Sequence, residues 1–119
     1  MKHIKLFEDL NEYYIKGDIS DLHDDDNQFI DIDFKYFSYF SNILKVVKLP
    51  SYMTLIDGEG LRLFYNGGAC NIFEMKDEWF YVIIYPDNPD NRTLGKEGTL
   101  YKCDQFDGLK KLLKDKEII

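Results

Sequence analysis

The side chains able to do chemistry are a cluster of acids, two thiols, two imidazoles and one run of aromatic rings. Asp24-Asp25-Asp26, with Asp18, Asp21 and Asp31 nearby, offers hard oxygen ligands of the kind Ca²⁺ takes. The spacing is not that of an EF-hand loop, which alternates its ligands, turns on a central Gly and closes with Glu. A solvated acidic loop is the plain account of these residues; a docking surface for a basic partner comes next, and a metal site last. Cys70 or Cys103 with His23 would supply a nucleophile and its base, and His3 is the other imidazole. Cys103 stands next to an expected helix N-terminus, where a thiolate is favoured. Nothing in the local sequence marks an activated thiol, and a small buried hydrophobe explains both cysteines.

The remaining candidates are weaker. Gly58-Glu59-Gly60 and Gly67-Gly68 complete neither G-x-G-x-x-G nor G-x-x-x-x-G-K-[ST], and the acid in the first would oppose a phosphate, so both read as turns. With 22 acids in the chain, any two can be chosen as a carboxylate pair, which leaves no signal for glycoside chemistry. Trp79, Tyr81 and Tyr85 would share one strand face and form a stacking platform for bases. Such platforms carry interleaved Lys and Arg, and this strand has none. Packing, or a protein-binding face, explains it better.

The elements that must position these groups are organised around Cys70–Tyr85. Trp79 to Tyr85 is an unbroken series of aromatic and β-branched residues, the types that fit a pleated, buried surface. Alternation puts Trp79, Tyr81, Ile83 and Tyr85 on one face and Phe80, Val82 and Ile84 on the other. Both faces are apolar, so a central strand with cover on each side is expected, or one face meeting a partner. Asn71–Met75 is the preceding strand, Lys76-Asp77 the turn between them, and Pro86 the stop. Tyr52–Ile56 and Leu61–Tyr65 form a further hairpin through Asp57–Gly60, and Asn66-Gly67-Gly68 turns the chain onward, which makes 52–85 an antiparallel meander. Thr99–Cys103 reads as a last strand. The polar stretch 86–98 is a candidate mobile or binding loop.

Helical spacing marks three segments. Ile4, Phe7, Leu10 and Tyr14 predict a helix over 3–15 that ends at Gly17. Phe37, Phe40, Leu44 and Val47 predict one over 34–47, with Asp33 as its N-cap and a broad apolar stripe for a sheet; Phe29–Phe34 before it alternates like a short strand. Phe106, Leu109 and Leu113 predict one over 105–114, capped by Asp104, with Asp107 in its first turn and lysines at its far end. Gly108 weakens that helix slightly. The fold class is therefore α+β, an antiparallel sheet of about four to five strands packed with about three helices.

At 119 residues the chain is one domain, 1–119, and its aromatic content argues against disorder. No apolar run approaches the roughly 20 residues needed to cross a bilayer. The first ten residues carry acids where a signal peptide would be apolar, so a cytoplasmic protein with reduced cysteines is expected. The charge is uneven. Residues 1–33 hold three lysines against ten acids, the whole net charge of −7, while 34–119 balance twelve against twelve. Such a segment repels nucleic acid and anionic lipid and attracts basic surfaces.

Three segments, Met-Lys-His-Ile-Lys-Leu-Phe-Glu-Asp-Leu-Asn-Glu-Tyr-Tyr (1–14), Asp-Glu-Trp-Phe-Tyr-Val (77–82) and Tyr-Lys-Cys-Asp-Gln-Phe-Asp-Gly-Leu (101–109), resemble parts of small uncharacterised proteins of tailed phages. The resemblance implies a phage or phage-like origin and brings no activity, cofactor or functional residue with it.

The leading expectation is a non-enzymatic protein-interaction domain, a phage accessory protein acting on a host factor, that binds a basic partner through Asp18, Asp21, Asp24, Asp25, Asp26, Trp79 and Tyr81. It needs no cofactor or metal and engages neither nucleic acid nor membrane. The alternatives are a small enzyme or ligand-binding protein with a pocket beside the sheet, and an assembly protein that self-associates.

Overall fold

The computed structural model describes residues 13–18, 20–21, 29–43, 49–54, 58–65, 68–85 and 98–119. In chain order these form β1 (Tyr14–Lys16), β2 (Phe29–Ile30), α1 (Phe34–Ile43), β3 (Ser51–Thr54), β4 (Glu59–Tyr65), β5 (Gly68–Met75), a 3-10 turn (Lys76–Glu78), β6 (Trp79–Tyr85), β7 (Thr99–Asp104) and α2 (Gln105–Asp115). The seven strands make one sheet, ordered β1-β7-β6-β5-β4-β3, with β2 beside β5. All pairings are antiparallel. The run β3 to β7 is a meander in chain order, of which the succession of turns predicts the part from β3 to β6, and β6 lies inside it between β5 and β7.

The alternation in β6 divides the core as expected. Phe80, Val82 and Ile84 join Leu61, Leu63, Cys70, Ile72 and Cys103 on the face covered by α1 and α2, through Tyr36, Phe40, Leu109, Leu112 and Leu113. Tyr81, Ile83 and Tyr85 join Phe73, Met75 and Leu100 in a second buried cluster, with Trp79 and Phe29 packed against it. A strand buried on both faces has no polar face to show, which explains the unbroken apolar run.

The helix predicted over 3–15 needs correction at its end. Residues 3–12 lie outside the described residues, but Tyr14 and Ile15 belong to a strand paired through Tyr14↔Cys103 and Ile15↔Lys102. Tyr14 meets the Tyr101 ring edge-on at 5.9 Å, and its hydroxyl donates to Asp115 Oδ2 at 2.7 Å. These tertiary partners outweigh the helical spacing, because aromatic and β-branched residues suit a sheet edge equally well. Gly17 ends no helix; its N–H donates to Leu100 O at 2.8 Å and continues the edge. The sheet also holds more strands than the four to five expected: β1 is too short to leave a period, while the alternation at Phe29–Phe34 corresponds to the shorter β2.

Asp33 caps α1 as predicted, its Oδ1 accepting from Lys35 N at 2.9 Å. Residues 44–48 of the predicted 34–47 helix lie outside the described residues. Asp104 precedes α2 but makes no side-chain cap bond. Gln105 has φ 61°, so the chain enters the helix through a left-handed residue and not the geometry that lays an Asp oxygen on the first N–H groups. At the other end, Glu117 N donates to Lys114 O and Ile118 N to Leu113 O, with Glu117 at φ 59° and Ile118 buried. This is a Schellman cap with a glutamate where glycine is usual. Glu117→Gly is expected to raise stability by up to about 1 kcal/mol in urea unfolding, because the left-handed conformation costs glycine nothing.

Gly108 has its own reason. A Cβ there would lie 2.5 Å from the carbonyl oxygen of Tyr13, which already accepts from Asp104 N at 3.0 Å. The glycine lets α2 rest on the backbone leading into β1. Ala is the better helix former by about 1 kcal/mol. Gly108→Ala is nevertheless expected to destabilise, by about 1–3 kcal/mol, since backbone must move to admit the methyl. A gain in the urea midpoint would show that this close approach does not exist.

Candidate functional site

Of the six acids singled out from the sequence, three are described: Asp31, which precedes α1, and the pair Asp18 and Asp21. That pair forms a tight turn after β1, in which Asp21 N donates to Asp18 O at 2.8 Å, Ser20 N to Asp18 Oδ1 at 3.0 Å and Asp18 N to Asp21 Oδ2 at 3.2 Å. The same Asp21 Oδ2 lies 2.8 Å from Lys102 Nζ on β7. That ammonium, by hydrogen bond first, holds the Asp21 carboxyl below its ordinary value against the opposing effect of burial. The pair therefore contributes stability above about pH 4 that is lost as the pH falls and Asp21 protonates. Lys102 Nζ also stands 5.7 Å from the centroid of the Tyr81 ring. The fold thus brings Asp21 and Tyr81 together through Lys102, and Asp21 is committed to an internal ion pair. Tyr81 is 8% exposed and Trp79 half-buried, both in the second core cluster, so Tyr81 offers little surface to a partner. Asp24, Asp25, Asp26, His3 and His23 lie outside the described residues.

Both cysteines are fully buried on the helix-covered face. Burial pushes the Cys70 thiol up to about 12 from an ordinary 9.0. Cys103 is pushed up as well, by burial first and then by neighbouring Cys70. At pH 8 Cys70 is therefore a thiol and not a nucleophilic thiolate. In Ellman's assay the native protein is expected to leave both thiols unmodified, and both are expected to react once it is unfolded. The sign for stability is definite: an unfolded chain ionises these thiols first, so stability is full below about pH 9 and falls as the pH rises further. Among the described residues no three His, Cys, Asp or Glu side chains are placed to hold a metal ion, and no helix is long and apolar enough to cross a membrane.

A different surface emerges where α1 meets the end of the sheet. Phe34 opens α1 and is 65% exposed. Its ring stacks on Phe37 at 5.7 Å and 11°, and Phe37 stacks on Tyr52 of β3 at 5.2 Å and 12°. Tyr52 is 39% exposed, and Leu49, just before β3, is 67% exposed. Among the described residues, β3 is the terminal strand of the sheet. The result is a ledge of parallel rings along a sheet edge.

Acids rim this ledge. Asp31 Oδ1 accepts from Glu59 N at 2.8 Å, and Ile32 N donates to Glu59 O at 2.9 Å, which ties the segment after β2 to the start of β4. Glu59 pairs with Thr54 of β3, and Asp31, Asp33 and Glu59 are all exposed. Behind them Glu74 Oε1 accepts from Asp33 N at 3.0 Å, and burial raises its carboxyl above the ordinary value. Glu74 is thus the inner, structural acid and the other three face solvent.

None of the ledge residues stood out by chemistry in the sequence. The usable signal was angular. Tyr36, Tyr39, Phe40 and Ile43 fill one side of α1 with Phe37 at its margin, while Phe34 lies well round the helix from Tyr36 and Phe40, so a single sheet could not bury them all. Comparison with family models, with curated proteins and with solved structures finds no match to this chain.

Proposed function

We propose that the chain is a non-enzymatic protein-interaction domain whose docking surface is the aromatic ledge of Phe34, Phe37 and Tyr52 with Leu49, rimmed by Asp31, Asp33 and Glu59. The observation that carries this reading is the exposed ring stack on a sheet edge. Large apolar side chains left together at a surface mark interaction sites, and aromatic rings supply most of the energy at such sites. The acids, with the net charge of −7, select a basic partner and speed its approach. In this reading the acidic segment 1–33, with Asp24, Asp25 and Asp26, steers the encounter and the ledge provides the grip. The setting we propose is the cytoplasm, with a host factor as the partner of a phage accessory protein.

The experiment is quantitative affinity capture with the wild-type protein, a Phe34→Ser/Tyr52→Ser variant and an Asp24→Asn/Asp25→Asn/Asp26→Asn variant. The expected result is a basic protein captured by the wild type, lost from the ring variant, and held with weaker salt sensitivity by the acid variant. Equal capture by the ring variant would overturn the ledge as the docking surface.

A further inference from the structure

We infer that the partner docks by strand addition: an extended segment of another protein, alternating basic and apolar residues, pairs with the outer edge of β3. This rests on the docking surface proposed above and specifies its mode and its ligand. The edge itself is the first observation. Among the described residues, Ser51–Thr54 pairs with β4 alone, through Ser51↔Arg62 to Thr54↔Glu59, and closes the strand order. Every second residue of such an edge turns its N–H and C=O outward as a template for another strand. Protected edges carry a charge, a proline or a bulge, and Ser-Tyr-Met-Thr has none of these. Main-chain pairing would supply affinity, and side chains to either side would supply specificity.

The side chains define the occupant. Tyr52 and Thr54 point to the α1 face, Tyr52 stacked on Phe37 and Thr54 opposite Glu59, whereas Met53 packs with the second cluster on the opposite face. A strand laid along β3 would set alternate residues on these two sides. On the α1 side, Lys or Arg fits both requirements, its cation resting over exposed rings and reaching toward the carboxylate of Glu59. On the other side a Val- or Leu-sized residue fits beside Met53. A second copy of this chain is a poorer occupant. Its own edge is uncharged and flanked by the same acids, and each copy carries −7.

The test uses the full chain and an eight-residue acetylated peptide alternating Val and Lys, followed by heteronuclear NMR and amide hydrogen exchange. Saturable binding is expected, with slowed exchange confined to amides of Ser51–Thr54. Methylating the peptide's alternate backbone nitrogens on the strand-pairing side is expected to weaken binding at least tenfold, methylating the other set is expected to change it little, and replacing Lys by Glu is expected to abolish it. If neither methylated peptide is weakened while Phe34→Ser/Tyr52→Ser loses binding, the ledge binds through side chains and strand addition is wrong. If the Val/Lys peptide fails to bind at millimolar concentration, strand addition by a basic segment is wrong, and the ledge still stands or falls by the capture experiment. Slowed exchange at 51–54 that follows protein concentration without peptide would assign the edge to a second copy and overturn the inference.

Discussion

Phe80→Ala is expected to remove about 3–5 kcal/mol of folding stability, the range for emptying a buried aromatic site. Phe80, the second residue of β6, is 1% exposed. Its ring meets Tyr36 of α1 at 5.2 Å, edge to face, and Phe106 of α2 at 6.4 Å. Phe106 in turn touches Tyr36 at 4.9 Å and Tyr39 at 5.1 Å. One side chain therefore joins both helices to the sheet, and each aromatic pair adds about 0.5–1.5 kcal/mol beyond its buried area. Domains of this kind have about 5–15 kcal/mol in total, so the variant would stand near the threshold of folding. Urea unfolding measures the effect. Phe80→Leu, which keeps most of the volume, should lose far less. A loss below about 1 kcal/mol for Phe80→Ala would mean that the helices are held elsewhere.

Phe34→Ser/Tyr52→Ser is expected to separate binding from stability in the opposite sense. Both side chains are substantially exposed, and surface changes away from caps and cores usually move stability by about 0.5 kcal/mol or less. Some stacking on Phe37 is lost, so a decrease of about 1 kcal/mol for the pair is allowed. Aromatic anchors at an interface each account for about 2 kcal/mol or more. The double variant should therefore bind the captured partner at least about 100-fold more weakly by calorimetry while unfolding at nearly the same urea concentration. Equal affinity would remove the ledge from the interface, and a collapse in stability would make these rings structural.

The parts of the fold legible in the sequence are those whose pattern is long relative to its period. Trp79–Tyr85 has the predicted bounds, and α2 buries Leu109, Leu112 and Leu113 on the predicted face. The parts that were not legible depend on contacts distant in sequence. β1 is a strand because Cys103 and Lys102 lie beside it, and three residues contain no period of their own. Gly108 reads from sequence as a weak point in a helix, and its reason, the Tyr13 carbonyl against it, lies 95 positions away. The Schellman cap at Glu117 was hidden because the usual glycine is missing. The site divides the same way. Acid clustering could be read from composition, but the pairing of Asp21 with Lys102 across 81 positions could not. Nor could the alignment of Phe34 and Phe37 with Tyr52, which needs α1 to lie at one end of the sheet.

The central claim, that partners engage the ring stack at β3, is most directly tested by site-specific photocrosslinking. A benzoylphenylalanine placed at position 52 and, as control, one placed at exposed Lys114 on α2 would be irradiated with the captured basic protein and the crosslinked peptides mapped. Crosslinks concentrated at position 52, to a Lys- or Arg-rich extended segment of the partner, are the expected result. Crosslinks from position 114 alone, or equal yields from both, would contradict it.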